Sequence, residues 1–295
     1  MNFLKLPKLL LTTFSLVFFC NLLFSQKLEP KERIGNDPEH IISSDITGKD
    51  YLIHMSFPEN YSINDTITYS VLYVLDGKST YRHFNSSKVD FEKIEDVIIV
   101  GISHKVNGME SKINRFYDYT PSQDTITARK LEKKFGVPNG TIKTGGADKF
   151  LDCLKKEIVP FIDKHYKTTS NRGISGHSLG GLFTAYCFIN SNGYFTRFGI
   201  NSPSLQWNEE KLLNKAIHKF ATSDTWNIKP TKVYFSTGED ESPFMVSNMI
   251  DFSLYLKKSN YENIEMNWYI FRNETHGSVI PSSFNGTLTT LYGKK

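Results

Sequence analysis

Between Gly173 and Phe183 the chain reads GISGHSLGGLF, and this stretch restricts the possible folds more than any other. A serine with glycine two residues away on each side, RGIS before it and LFTAYCFI after it, is the pattern of a sharp turn from a β-strand into an α-helix. In such a turn Ser178 takes a strained backbone conformation. Gly176 and Gly180 are expected to avoid side-chain collisions across it, and the Leu179 amide, at the helix start, faces any anion formed beside the serine. A serine held this way needs partners on neighbouring strand ends, so the motif asks for a sheet of a particular kind.

The rest of the chain supplies one. Short β-rich runs at 51–57, 70–75, 97–102, 173–175, 197–201, 232–236 and 267–271 alternate with helical patterns. Two of the runs, VLYVL and VIIVGI, are almost continuously apolar, as strands buried on both faces are. The segment GGADKFLDCLKKEIVPFIDKHY sets Phe150, Leu151, Leu154, Ile158, Phe161 and Ile162 on one helical face, with Pro160 expected to kink it. Further helices are predicted at 182–189, 209–220 and 245–258. The alternation predicts an α/β fold: a mostly parallel central sheet with helices on both faces. Residues 108–146, rich in turn formers, read as a long connection that could serve as a binding loop or lid.

The first residues, MNFLKLPKLLLTTFSLVFFCNLLFSQ, carry two lysines, an apolar run and then small polar residues, the pattern of a cleaved signal peptide over 1–25. Lipid attachment at Cys20 is disfavoured by the bulky Phe18 and Phe19. The expectation is an exported protein, periplasmic or secreted, without stable membrane association after cleavage. A polar lead-in follows at 26–45, then a catalytic domain at 46–295. Taking Lys5 and Lys8 from the 35 basic residues leaves 33 against 31 acidic ones. That near-balance, with no block of like charge, argues against a nucleic-acid partner. Cys153 and Cys187, both on helical patterns, are expected to be buried free thiols.

After Ser178 the chain holds two histidines. His218 sits within the helical pattern KLLNKAIHKF, whereas His276 follows the strand NWYIF in the turn RNETHG, where a general base can reach a serine. The strand KVYFS ends in TGEDES, offering Glu239, Asp240 and Glu241 as the acid that orients the imidazole. The turn after VLYVL, with Asp76 as a supporting turn residue, offers a second oxyanion donor in the amide of Gly77 or Lys78. No group of His, Cys, Asp and Glu has convincing metal spacing and no phosphate-cradling glycine loop is present, so no cofactor is expected.

Together, YVLDG at 73–77, IIVGI at 98–102, RFYDYTP at 115–121, GGADKFL at 145–151, SGHSLGGLF at 175–183, SPSLQW at 202–207, GEDE at 238–241 and THG at 275–277 resemble the esterase D and enterobactin-esterase-like branch of the α/β-hydrolases. The resemblance implies an α/β-hydrolase fold, Ser178 as nucleophile, His276 as base and Glu241 as acid. It implies a cleft-lining role for Arg115 and Asp118, for which a structural ion pair is the alternative, and it sets Trp207 near the pocket. Gln206 stands where the family often has a second aromatic residue. The expected function is serine ester hydrolysis through a Ser-Glu-His triad and an acyl-enzyme, on a small-molecule or carbohydrate ester. For a siderophore ester, Lys78, His83, Arg115 and Lys143 would supply a basic cleft. The alternatives are a catalytically silent binding protein of the same fold and an acyltransferase with an alcohol acceptor.

Overall fold

The computed structural model describes residues 40–294 apart from 60, 65, 80–88, 224, 227 and 228. The leader, the lead-in up to residue 39 and His83 therefore lie outside the described residues. Among these residues one sheet is built from β1 (His40–Ser44), β2 (Lys49–Ser56), β3 (Tyr69–Leu75), β4 (Val97–His104), β5 (Thr168–His177), β6 (Arg197–Asn201), β7 (Thr231–Gly238) and β8 (Ile264–Phe271). The spatial order is β1-β2-β4-β3-β5-β6-β7-β8. β1, β2 and β4 pair antiparallel at one edge, and every later pairing is parallel.

Period-two burial explains the continuous apolar runs. Along β3, Val71, Tyr73 and Leu75 enter the larger core, while Leu72 and Val74 enter the smaller one on the opposite face. β4 divides in the same way, with Ile98, Val100 and Ile102 on one side and Val97 and Ile99 on the other. The larger core is covered by α3 (Ala147–Cys153), α4 (Val159–His165), α5 (Leu179–Asn190), α6 (Trp207–Thr222) and α7 (Pro243–Lys258). The smaller one is covered by α8 (Ile280–Tyr292), whose Phe284, Leu288, Leu291 and Tyr292 are buried. The Tyr292 hydroxyl donates to the Val71 carbonyl at 3.0 Å, and the Arg197 guanidinium lies 4.4 Å from the Tyr292 ring centroid. These contacts pin the C-terminal helix to the sheet centre.

Four expectations change. The lead-in does not stay loose to residue 45, because β1 pairs with β2 as an edge strand. The bend expected at Pro160 is preceded by a π-helical turn, Leu154–Ile158, joining α3 to α4. α8, which the periodicity did not single out, closes the second face. Residues 108–146 are no open loop: they hold α1 (Gly108–Tyr119) and α2 (Thr125–Phe135). The signals for α2 were present, since Asp124 caps its start by accepting from the Thr127 amide at 2.8 Å and Gly136 ends it at φ 67°.

Cys153 and Cys187 are buried and free, as expected. Burial pushes both thiols up, so neither is primed as a nucleophile. Asp118 does not pair with Arg115. Its fully buried carboxylate takes the Lys49 ammonium, the Tyr51 hydroxyl at 2.8 Å and the His104 Nε2 at 2.8 Å. That cluster ties α1 to the antiparallel edge. Asp118→Ala leaves this group of donors without their shared acceptor and is expected to cost about 3 kcal/mol, read from urea unfolding.

Candidate active site

β5 runs straight into α5, and the turn between them sets Ser178 at φ 64° and ψ −119°. For a residue with a Cβ this is a strained conformation of the kind over-determined by its surroundings. Its amide donates to the Asn201 carbonyl at 3.1 Å, and its carbonyl accepts from the Leu182 amide at 3.0 Å and the Ser204 amide at 3.1 Å. A Cβ on Gly176 would lie 2.5 Å from the Gly180 carbonyl, so β5 and α5 can cross this closely only with glycine there. At Gly180 itself the expected collision is absent: a Cβ would meet nothing nearer than 3.4 Å. The second obligatory glycine is Gly181, where a Cβ would stand 2.5 Å from the Asn201 carbonyl oxygen.

The partners gather from later strand ends. After β7, Glu239 and Asp240 are exposed and Glu241 turns inward, its carboxylate fully buried. Glu241 Oε1 accepts from the Ser202 hydroxyl at 2.6 Å and the Gly238 amide at 2.8 Å. Oε2 meets His276 Nδ1 at 2.8 Å. Burial works to raise this carboxyl, but the hydrogen bonds from His276, Ser202 and Gly238 outweigh it and hold its pKa below the ordinary value. His276 lies on the loop between β8 and α8. The turn bearing Glu241 is fastened to β8 and this loop by Glu239 N to Phe271 O, 2.8 Å, and Asp240 N to Glu274 O, 3.0 Å. His218 is exposed on α6, away from this group.

Ser178, Leu179 and His276 line one cleft of about 520 Å³. Its other wall comes from α1 and α2 through Arg115, Phe116, Thr127, Leu131 and Lys134, and from Gln206, Trp207 and Asn208. Trp207 lines this cleft, its Nε1 donating to the Ser122 carbonyl at 3.3 Å. Arg115 also reaches the cleft, but its charge is engaged. Its Nε lies 2.9 Å from both Asp76 carboxylate oxygens, and its Nη2 donates to the His177 carbonyl at 3.1 Å. It therefore ties the end of β3 to the end of β5.

Two donors separate at the first turn. The Lys78 amide donates to Ser103 Oγ at 2.6 Å, which withdraws it as an oxyanion donor, and the Lys78 ammonium donates to Asn107 Oδ1 at 3.1 Å. Gly77 remains the candidate beside Leu179, whose amide opens α5 and has no intrahelical acceptor. Lys143 is exposed and does not line the cleft. The cation that does, without an ion-pair partner among the described residues, is Lys134 near the end of α2. The sequence pointed to it only through the overlooked helix.

The ring of His177 packs on His276, centroids 4.4 Å apart and planes inclined by 39°. Burial, and then the neighbouring His276, hold its pKa down at about 3. An unfolded histidine titrates at about 6.5. Between these values the unfolded chain binds a proton that the folded chain refuses, so the neutral ring contributes full stability above about pH 6.5 and loses it as the pH falls toward 3. Acidification from about pH 8 to about pH 5 is expected to cost about 2 kcal/mol through this residue. Urea titrations across that range check this: His177→Gln, which does not titrate, should flatten that part of the curve.

Comparison with known proteins fits this arrangement. Residues 44–263 match the family model described as "Putative esterase". The ferri-bacillibactin esterase BesA of Bacillus subtilis is 25% identical over 224 residues, covering 72% of this chain and 75% of its own length. The apo-salmochelin esterase of Escherichia coli is 25% identical over 232 residues, covering 77% and 70%. The crystal structure of the BES protein from Bacillus cereus superposes with a TM-score of 0.74 at 29% identity, covering 88% of this chain and 97% of that one.

Proposed function

The chain belongs to this esterase family, with its α/β-hydrolase fold, and is a serine ester hydrolase; from that premise we propose that it cleaves siderophore esters, through a Ser178–His276–Glu241 triad and an acyl-enzyme. One observation carries the assignment of residues. A serine on a strained strand-to-helix turn and a histidine backed by a buried carboxylate open on the same cleft.

In this reading Ser178 Oγ attacks the ester carbonyl while His276 Nε2 accepts its proton. Glu241 keeps the Nδ1 hydrogen directed at itself and stabilises the imidazolium that forms. The carbonyl oxygen, now an anion, is met by the amides of Leu179 and Gly77. Collapse of the intermediate breaks the bond to the alcohol, which takes the proton from His276. Water then repeats the sequence on the acyl-Ser178 ester and releases the acid. No step calls on a cofactor. Arg115 acts here as a positioning residue, because it links Asp76, next to Gly77, with His177, next to Ser178.

Two features support a siderophore ester as substrate. The related proteins from Bacillus subtilis and Escherichia coli are named for such esters. The cleft joins flat aromatic surfaces, Phe116 and Trp207, to the Lys134 ammonium, which has no ion-pair partner among the described residues, and this suits an anionic aryl-bearing ligand. Export is part of the same proposal, supported by the lysine-flanked apolar leader. Its check is the N-terminal sequence of the mature protein, expected to begin near Gln26.

The function is tested on p-nitrophenyl esters, a feruloyl sugar ester, an acetylated xylan fragment and a ferric catecholate trilactone, with products identified by mass. Turnover is expected to be fastest on the trilactone and to fall by about 10⁴-fold or more in Ser178→Ala. Lys134→Glu should raise KM for the anionic trilactone roughly tenfold more than for a neutral ester, a difference of about 1.4 kcal/mol. Equal activity of Ser178→Ala and the parent protein would sink the triad. A preference for a neutral ester would sink the siderophore assignment.

A further inference from the structure

His177, Glu241 and His276 are far apart in the sequence, and for that reason their spacing suggested no metal site. The fold brings them together from the ends of β5, β7 and β8, so that one ligand atom from each lies within 4.8 Å of the others. Glu241 Oε2 already faces His276 Nδ1, and its other oxygen is anchored by Ser202 and the Gly238 amide. His177 Nε2 is buried without a hydrogen-bond partner. A buried nitrogen left with its lone pair or its hydrogen unmatched is uncommon and calls for an explanation. Hydrolysis supplies none, because the triad is complete without this ring.

Two imidazoles and one carboxylate form a donor set that suits zinc. Zinc binds nitrogen at about 2.0–2.1 Å and oxygen at about 2.0–2.2 Å, and commonly leaves its fourth position to water. We propose that His177, Glu241 and His276 form a zinc site and that zinc bound there silences the enzyme. The ion takes a lone pair at His276 Nδ1, whose proton passes through solvent to Nε2, so the ring stays neutral. Glu241 Oε2 and a nitrogen of the His177 ring complete the protein ligands: the 2.8 Å contact between Oε2 and Nδ1 opens slightly to admit the ion, and the His177 nitrogen moves inward. No bond to carbon forms or breaks, and no electron is transferred.

The consequence for catalysis is direct. His276 loses its hydrogen bond to Glu241, and its Nε2, now carrying the ring hydrogen, has no lone pair left to take the Ser178 proton. Ordinary ester hydrolysis needs neither the ion nor the His177 ring, so zinc acts as a reversible inhibitor. This inhibitory half rests on the reading of His276 as the general base. The binding half rests on geometry alone.

The test uses the full-length protein freed of metal, titrated with zinc chloride by calorimetry and, in parallel, by p-nitrophenyl ester turnover. One zinc per chain is expected, with at least about a tenfold loss of turnover that EDTA reverses. His177→Gln should weaken zinc binding about tenfold or more, an effect of the size seen when a metal centre loses a supporting group. His218→Gln, on the exposed face of α6, should leave it unchanged. Should His177→Gln fail to fold, zinc-soaked crystals of the unaltered protein measured at the zinc absorption edge decide the matter. The anomalous peak is expected among the three side chains. A peak elsewhere, absence of binding, or equal zinc sensitivity in a folded His177→Gln variant overturns the proposal. If no ester is hydrolysed, stoichiometry and the anomalous peak still judge the site, and the failure belongs to the functional reading.

Discussion

The crossing of β5 over the first turn of α5 is the contact on which the site depends. Its backbones approach so closely that Gly176 faces the Gly180 carbonyl with no room for a side chain, and Gly181 lies against the Asn201 carbonyl in the same way. Ser178 is forced to positive φ between them, a conformation costing about 1–3 kcal/mol for a residue of its kind. Three backbone hydrogen bonds through the Ser178 amide and carbonyl, to Asn201, Leu182 and Ser204, hold it there. Ser178 lines the cleft while its backbone stays tied to β6 and the turn beyond it.

Below this crossing a buried polar ladder locks the neighbouring strands. Asn201 Nδ2 donates to Ser175 Oγ at 3.1 Å and to Thr287 Oγ1 at 3.1 Å, and the Ser236 hydroxyl donates to Asn201 Oδ1 at 2.7 Å. Ser175 is on β5, Asn201 on β6, Ser236 on β7 and Thr287 on α8. Such a network stabilises only when its members find their partners together. It therefore favours one relative setting of three strands, and those strands lead to Ser178, Ser202 and Glu241. Above the sheet, Arg115 makes the matching connection between β3 and β5.

Legibility followed the range of the interaction. The serine turn, the parallel strands and the loop histidine were readable because each is written in a short local pattern: GHSLGG, alternating apolar runs, and a histidine just past a strand. TGEDES was different. Three adjacent acids are chemically similar, and Glu241 stands out in the fold because Ser202 and Gly238, from two strand ends, hold one of its oxygens. The choice between the Gly77 and Lys78 amides is not legible locally, because the acceptor of the Lys78 amide, Ser103, lies on β4. α1 and α2 were hidden by a low apolar content that exposed helices tolerate, although Asp124 and Gly136 marked both ends of α2.

In the proposed mechanism the chain also keeps bond breaking and ligand selection in separate stretches. The hydroxyl, the imidazole and its carboxylate all sit on turns at the ends of the parallel strands. Much of the facing wall, with Arg115, Phe116, Leu131 and Lys134, arrives as one helical insert between β4 and α3. Arg115 is the stitch that crosses from the insert to the sheet. The rest of that wall can be exchanged for another shape or charge while the strand-end turns keep their geometry, so one scaffold can change what it admits without rebuilding how it reacts.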